Sequence, residues 1–177
     1  MKGLTYVIAG LLLMLPLNSG IAQDDILNKI INVPGSTKVS GAKGRMRKDE
    51  GVQGGKAMRI AVPGKTANVW DIAASSAIDK PVKAGDNLVL AFWARFEEAE
   101  NGASTVTLPF SAVQLSSAPY TPLFNQQVTV GPTWALHQVR GKADKDYPAG
   151  ALNAAIHLAS GKQVIDLGPV FVLNMGQ

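Results

Sequence analysis

The sequence predicts an all-β protein: a two-sheet β-sandwich of the jelly-roll type, with about eight strands, forming a single domain after a signal peptide. Two observations carry this prediction. From residue 33 onward, short turn-forming groups rich in Gly and Pro recur, such as PGS, GVQGG, KAGDN and YPAG. Between them lie short runs rich in Val, Ile, Leu and aromatic residues. Many short strands separated by Gly and Pro turns are typical of sandwiches and barrels.

Residues 1–22 are predicted to be a secretory signal peptide. Lys2 precedes the apolar run LTYVIAGLLLMLPL, and the small residues Gly20 and Ala22 precede a cleavage point before Gln23. A transmembrane anchor is the alternative, but the run is shorter than the roughly 20 apolar residues of a span and contains Pro16. We therefore expect an exported domain at residues 23–177, periplasmic or secreted, without membrane attachment after cleavage.

Composition limits the function of this domain. It contains no cysteine, so packing or a bound ion must stabilise it without disulfides. Residues 23–177 carry 16 basic and 13 acidic side chains, and the only basic run is KGRMRK at 43–48. No basic face with interleaved aromatic residues is evident, so no nucleic-acid partner is predicted.

The strands are predicted from apolar runs and alternation between the turns. They are 56–62, 67–75, 87–97, 105–117, 125–130, 134–143, 151–160 and 163–174. Residues 24–32 form either a helix or an initial strand. Pro109 cannot donate a hydrogen bond to a neighbouring strand, so we expect a bulge there or an edge position.

In a jelly roll, successive strands tend to fall on alternating sheets. The first, third, sixth and eighth strands are therefore assigned to one sheet, and the second, fourth, fifth and seventh to the other. In the third strand, Trp93 and Arg95 alternate against a core face. We expect them on the back of the sandwich, a face covered in part by the N-terminal segment. Trp93 is then a packing residue, and Arg95 either extends its charged end into solvent or pairs with a carboxylate. Trp134 is predicted to lie in the core.

Catalytic signatures are absent from the sequence. There is no GxSxG motif, and the two histidines, His137 and His157, have no HExxH spacing. The acidic residues fall mostly in predicted turns. The protein is therefore predicted not to be an enzyme. A small hydrolase or esterase is the alternative, and it would require a buried acid–base pair.

A polar and aromatic set remains on otherwise apolar strands. Trp70 and Asp71 lie in ANVWDIAAS, Gln114 in SAVQLSS, Tyr120 in the turn SAPYTP, and His157 in ALNAAIHLAS. Asn153 and His157 share the face of their strand that is opposite the apolar one. The sheet assignment places all of these residues on one sheet. Strict alternation turns Trp70 inward if Asp71 points outward, so Trp70 is either a surface ring or a core residue.

At this point the sequence resembles the carbohydrate-binding modules of families four, nine and twenty-two, which have a jelly-roll, galactose-binding-like fold. The resemblance rests on the order of four segments over residues 33–174: GVQGGKAMRIAVPGKTANVWDIAASSAI, VKAGDNLVLAFWAR, VQLSSAPYTPLF followed by QQVTVGPTW, and LNAAIHLASGKQVIDLGPVFV. It implies that a polysaccharide or oligosaccharide binds across the concave face of one sheet. Trp70 then matches the platform aromatic residue, Gln114 and His157 match polar contacts, and Asp71 and Tyr120 complete the set.

The resemblance also implies further components. Family members often hold a structural calcium ion near the N-terminal loop and the last strand, and Asp166 in VIDLG matches the acidic position of that closing strand. No other cofactor is expected. A separate glycoside hydrolase is the implied protein partner. The alternative function is a secreted structural or protein-interaction jelly-roll domain without sugar binding, which the low content of aromatic residues favours.

Overall fold

The computed structural model describes residues 23–177, so the predicted signal peptide lies outside the described residues. Helix α1 spans Gln23–Lys29. The strands are β1 Lys38–Ser40, β2 Gly44–Lys48, β3 Lys56–Val62, β4 Ala73–Ile78, β5 Asn87–Ala99, β6 Val106–Leu115, β7 Pro122–Val130, β8 Ala135–Lys142, β9 Leu152–His157 and β10 Gln163–Asn174. Two short 3-10 turns lie at Val69–Asp71 and Glu100–Gly102.

The strands form two five-stranded antiparallel sheets, which confirms the predicted two-sheet sandwich. We call β1-β4-β9-β6-β7 the front sheet and β2-β3-β10-β5-β8 the back sheet. All eight predicted strands lie in the sheets assigned to them. The prediction missed β1 and β2, which are edge strands of the front sheet and the back sheet respectively. Both are short, and GRMRK in β2 has no apolar alternation to identify it.

The main core lies between the two sheets. In β5, Leu88, Leu90, Phe92, Ala94 and Phe96 face the front sheet and are buried there. Side chains alternate across a strand, so this spacing places one complete face of β5 in the core. Burial of each large apolar side chain contributes about 1.5–3 kcal/mol, and this replaces the disulfides that the chain lacks.

Helix α1 covers part of the outer face of the back sheet. Ile26 packs with Val89, Ala91, Phe171 and Leu173 in a second, smaller apolar cluster. The N-terminal segment is therefore a helix that covers the back sheet, as one of the two alternatives predicted. It becomes extended at Ile30, which forms a bridge with Leu173.

The buried side chain of Asn32 joins the N-terminal segment to both sheets. Its Nδ2 donates to Ser76 Oγ of the front sheet and to the Val170 carbonyl of the back sheet, each at 2.9 Å. Its Oδ1 accepts from the Val172 backbone N–H at 2.7 Å. Because every polar group of this amide is paired, its burial carries no uncompensated desolvation cost.

Pro109 lies at a β-bulge, as predicted. The register between β6 and β7 shifts between Leu108 and Ser111. The bulge changes which side chains of β6 face outward, and this determines part of the site described below.

Within residues 23–177, no helix has both the length and the apolar composition that crossing a membrane requires.

One contact between the sheets depends on a glycine. A methyl group at Gly141 of β8 would overlap the ring of Phe124 on β7, whereas nothing lies within 4 Å of such a group at Gly131. We expect Gly141→Ala to lower the free energy of unfolding by about 1–3 kcal/mol through overpacking. Urea denaturation measures this change. Gly131→Ala is the matched control, and an equal loss in both variants would contradict the explanation.

Candidate functional site

Three rows of side chains cross the centre of the front sheet on its outer face. Residues directly opposite each other on neighbouring strands point to the same face, so the register defines these rows. From β4 through β9 to β6 they are Ala73, His157 and Phe110; Ser75, Ala155 and Ala112; and Ala77, Asn153 and Gln114. Successive rows are about 7 Å apart. The middle row consists of small side chains, so it forms a shallow trough running across the strands between two bulkier rows.

One wall of the trough is a stacked pair of rings. The Phe110 and His157 ring centroids are 4.4 Å apart, with 19° between the ring planes. Phe110 was not among the site residues predicted from the sequence. Strict alternation from Leu108 would turn Phe110 inward, but the bulge at Pro109 shifts the phase by one residue. The predicted bulge was the available signal.

The opposite wall consists of amides. Gln114 and Asn153 are directly paired across β6 and β9. The Oδ1 atom of Asn153 and the Nδ1 atom of His157 are buried without a hydrogen-bond partner within residues 23–177. Buried polar atoms are normally paired, so these two atoms require water or a ligand as their hydrogen-bond partner.

Trp70 lies in the 3-10 turn before β4, not in a strand. The predicted strand at 67–75 is therefore wrong for residues 67–72, because β4 begins at Ala73. The conflict between the directions of Trp70 and Asp71 disappears, since a 3-10 turn does not alternate. Trp70 is 60% exposed, so it is not a core residue. Its turn contacts β9 beside the row that contains His157.

The Asp71 carboxylate is bound within the same turn. Its Oδ2 accepts from the backbone N–H of Asn68 at 3.1 Å, and its Oδ1 accepts from the Asn68 amide at 3.3 Å. The backbone bond is the main reason that the pKa of Asp71 lies below its ordinary value. This carboxylate fixes the turn that carries Trp70.

Tyr120 lies at the other end of the front sheet. It follows β6, beyond the row of Asn153 and Gln114, and is 54% exposed with a positive φ of 55°. The β9 strand between the two ends spans roughly 17 Å at 3.3 Å per residue. The two exposed aromatic residues therefore lie along the strand direction, Trp70 beyond the row of His157 and Tyr120 beyond the row of Gln114.

The three rows carry no carboxylate, lysine or arginine. The nearest charged side chain in register is Lys38 of β1, which pairs with Ser75. Burial lowers the pKa of His157 below 6.5, so its imidazole is neutral at pH 7. The outer face of the front sheet thus offers rings, amides and small side chains without net charge.

The outer face of the back sheet, by contrast, carries a buried carboxylate surrounded by arginines. Asp166 of β10 is fully buried, and its carboxylate accepts hydrogen bonds from Arg59 at 2.8 Å and from Arg95 at 3.1 Å. A nitrogen of Arg47 lies 3.6 Å away. Burial alone would raise the pKa of Asp166, but Arg59 and Arg95 hold it below its ordinary value.

This environment does not fit the calcium ion implied for Asp166. Calcium binds six to eight oxygen atoms, whereas guanidinium groups surround this carboxylate. In the described part of the chain, no group of three or more acidic or histidine side chains is arranged to hold a metal ion. A cation at Asp166 would have to displace two arginines.

The back-sheet residues Trp93 and Arg95 lie where the sequence predicted. Trp93 is half-buried and donates from Nε1 to Gln53 Oε1 at 2.8 Å. Arg95 pairs with carboxylates, and its guanidinium lies 5.2 Å from the centre of the Trp134 ring. The core assignment of Trp134 is wrong, because this half-buried ring packs on Arg95 and donates to Asp49.

Neither histidine forms an acid–base pair in the described residues. Within 23–177, no carboxylate accepts a hydrogen bond from His137 or His157, and neither takes part in an ion pair. Both imidazoles have pKa values lowered by burial. The hydrolase alternative required a buried acid–base pair, and neither histidine supplies one here.

Comparisons with known proteins agree on the fold. No protein-family model matches the chain, and no curated protein sequence matches it significantly. Solved structures do match. A family 4 carbohydrate-binding module is 16% identical with a TM-score of 0.60, covering 78% of this chain and 94% of that one. The second N-terminal cellulose-binding domain of β-1,4-glucanase C from Cellulomonas fimi is 20% identical, with a TM-score of 0.58 and coverages of 81% and 88%.

A family 22 module has the same architecture. The C-terminal family 22 carbohydrate-binding module of Xyn10B from Clostridium thermocellum is 17% identical, with a TM-score of 0.54, covering 80% of this chain and 87% of that one. The chain therefore has the fold of the family 4 and family 22 carbohydrate-binding modules, which confirms the predicted resemblance.

The buried charge of Asp166 should contribute strongly to stability. We expect Asp166→Asn to lower the free energy of unfolding by about 3 kcal/mol, because it leaves partly buried guanidinium groups without their shared counter-charge. Chemical denaturation measures this loss. Asp146→Asn is the matched control, since it breaks an exposed pair with Lys83 and should cost less than about 1 kcal/mol. Similar losses in the two variants would contradict this account.

His157 should make stability depend on pH. Its folded pKa is lower than its ordinary value of 6.5, so its contribution is complete above that pH and is lost as the pH falls toward the folded pKa. We expect the urea midpoint to fall between about pH 7.5 and pH 5.5, and His157→Phe to reduce that change. His137→Phe should remove the separate contribution of His137, which has the same sign. An unaltered pH dependence in His157→Phe would refute the assignment.

Proposed function

We propose that this chain is an exported, non-catalytic carbohydrate-binding module that holds a neutral polysaccharide or oligosaccharide on the outer face of its front sheet. One observation carries the proposal: an uncharged trough of small side chains lies between a stacked Phe110–His157 pair and the amides of Gln114 and Asn153. The exposed ring of Trp70 stands beside it.

The chemistry of this surface suits sugars. A pyranose ring has C–H patches that gain free energy when an apolar surface covers them. It also carries several hydroxyl groups that must not be buried without hydrogen-bond partners. Small side chains let the ring approach the sheet, and the amides and the imidazole accept or donate to its hydroxyl groups. Because the trough contains no fixed charge, we expect a neutral glycan and not one that carries uronic acids.

The residue roles follow from position. Trp70 and Tyr120 provide apolar contacts outside the two walls of the trough, and Gln114 and His157 provide polar contacts from the walls themselves. Asp71 supports the Trp70 turn rather than acting as a main sugar contact. No bond is made or broken in this function, so a separate glycoside hydrolase that degrades the same glycan is the expected partner.

The glycans to test first come from the similar solved modules. One of them is a cellulose-binding domain of a β-1,4-glucanase, and another is a structure of the joined CBM22-1 and GH10 modules of an endo-1,4-β-D-xylanase complexed with xylohexaose. β-1,4-linked glucans and xylans are therefore the leading candidate ligands for this chain.

Affinity gel electrophoresis against soluble glycans tests the proposal. The panel is xylan, mixed-linkage glucan, glucomannan, galactan, pectin and alginate. We expect retardation by at least one neutral glycan and none by the uronate polymers. Trp70→Ala should weaken binding by about tenfold or more, because it removes an apolar contact worth about 1.5–3 kcal/mol.

Controls separate binding from folding. His157→Phe keeps a ring against Phe110 but removes the ring nitrogens, so it should reduce affinity in a folded protein. Met46→Ala shortens a side chain that is 53% exposed on the other sheet and should change nothing. A folded protein that no glycan retards would reject sugar binding and favour the alternative, a secreted protein-interaction domain with the same fold.

A further inference from the structure

Strand β2 is a free edge of the back sheet. Among the strands of residues 23–177, Gly44–Lys48 pair with β3 alone, so the other side of β2 presents backbone N–H and C=O groups without a strand partner in this part of the chain. Such an edge can accept an added strand from another chain. Its five residues approach the length of an ordinary strand.

Positive charge is concentrated at this edge. Residues 38–56 contain six basic and two acidic side chains, whereas the rest of 23–177 contains ten basic and eleven acidic ones. The net positive charge of the domain therefore comes from this segment. Arg47 is directed toward Asp166 and Asp49. Among the described side chains, Arg45 and Lys48 form no ion pair, and both are exposed.

An apolar groove borders the same edge. It has a volume of about 820 Å³, and its lining includes Met46, Met58, Val33 and Leu167. Met46 and Val33 are each 53% exposed, which is unusual for large apolar side chains. The groove lies on the face of β2 toward which Met46 points. Arg45 and Arg47 point to the opposite face, since Arg45 pairs with Arg59.

A strand added to the β2 edge would contact both the basic side chains and the apolar groove. Side chains directly opposite each other across two strands share a face. A residue opposite Met46 would therefore enter the groove side, and the residues opposite Arg45 and Arg47 would meet guanidinium groups. We propose that the free edge of β2 binds an extended segment of another protein in which acidic and apolar side chains alternate, as a sixth strand of the back sheet.

Other occupants fit less well. A second copy of β2 would bring two basic edges together, and like charges directly opposite each other are unfavourable. A polyanion without apolar side chains would use the charge but neither the groove nor the backbone groups. The proposed segment uses all three features, and it does not depend on sugar binding by the front sheet.

A capped, fluorescently labelled peptide of about nine residues that alternates Glu and Val tests this inference. We expect saturable binding by fluorescence anisotropy that weakens as NaCl increases. Amide NMR shifts should concentrate at residues 43–48 and around the groove. Arg45→Glu should weaken binding by about tenfold or more, because a repulsive charge replaces an attractive one. Arg140→Glu, on the opposite edge strand β8, should change it less than about twofold.

A second peptide separates strand addition from simple charge attraction. It has the same composition, with all Glu residues in one block and all Val residues in another, and it should bind about tenfold more weakly. Equal affinity for the two peptides, no binding of the alternating peptide, or shifts on the front sheet would each overturn the proposal. The Arg45→Glu variant should be retarded by glycans as strongly as the unmodified protein. Loss of peptide binding at β2 is thereby distinguished from loss of glycan binding by the front sheet.

Discussion

The buried carboxylate of Asp166 is the constraint around which the back sheet is organised. An isolated charge inside a protein costs several kcal/mol, so Asp166 is stable there only with its arginine partners in place. Arg47, Arg59 and Arg95 come from β2, β3 and β5, and Asp166 comes from β10. One charge therefore fixes the relative positions of four of the five strands.

The outer faces of the two sheets therefore differ in charge and in exposure. Helix α1 and the charge cluster around Asp166 cover much of the outer face of the back sheet, leaving its β2 edge open. The central rows of the front sheet have small side chains, rings and amides instead of ions. An uncharged surface with unpaired polar atoms can exchange water for sugar hydroxyl groups without breaking an ion pair, which is why the proposed ligand site lies on the front sheet.

Aromatic content alone gives a misleading picture of this surface. The sequence has few Trp and Tyr residues, yet the fold places Phe110 against His157 and holds Trp70 on an exposed turn. Asp71 stabilises that turn through Asn68. Asp71, which the resemblance implied as a ligand contact, thus supports the turn that carries Trp70, and Phe110, which the sequence did not single out, forms a wall of the trough.

The sequence by itself predicted the two-sheet fold, a bulge or an edge position at Pro109, and the shared face of Asn153 and His157, because alternation and turn residues are local properties. The sheet of each predicted strand followed from the jelly-roll pattern. It could not locate β2, whose exposed basic residues have no apolar period, nor the position of Trp134 beside Arg95. Only the tertiary structure decided that Phe110 stacks on His157 and that arginines surround Asp166. Both depend on partners more than 40 positions away in the chain, brought together by the strand register.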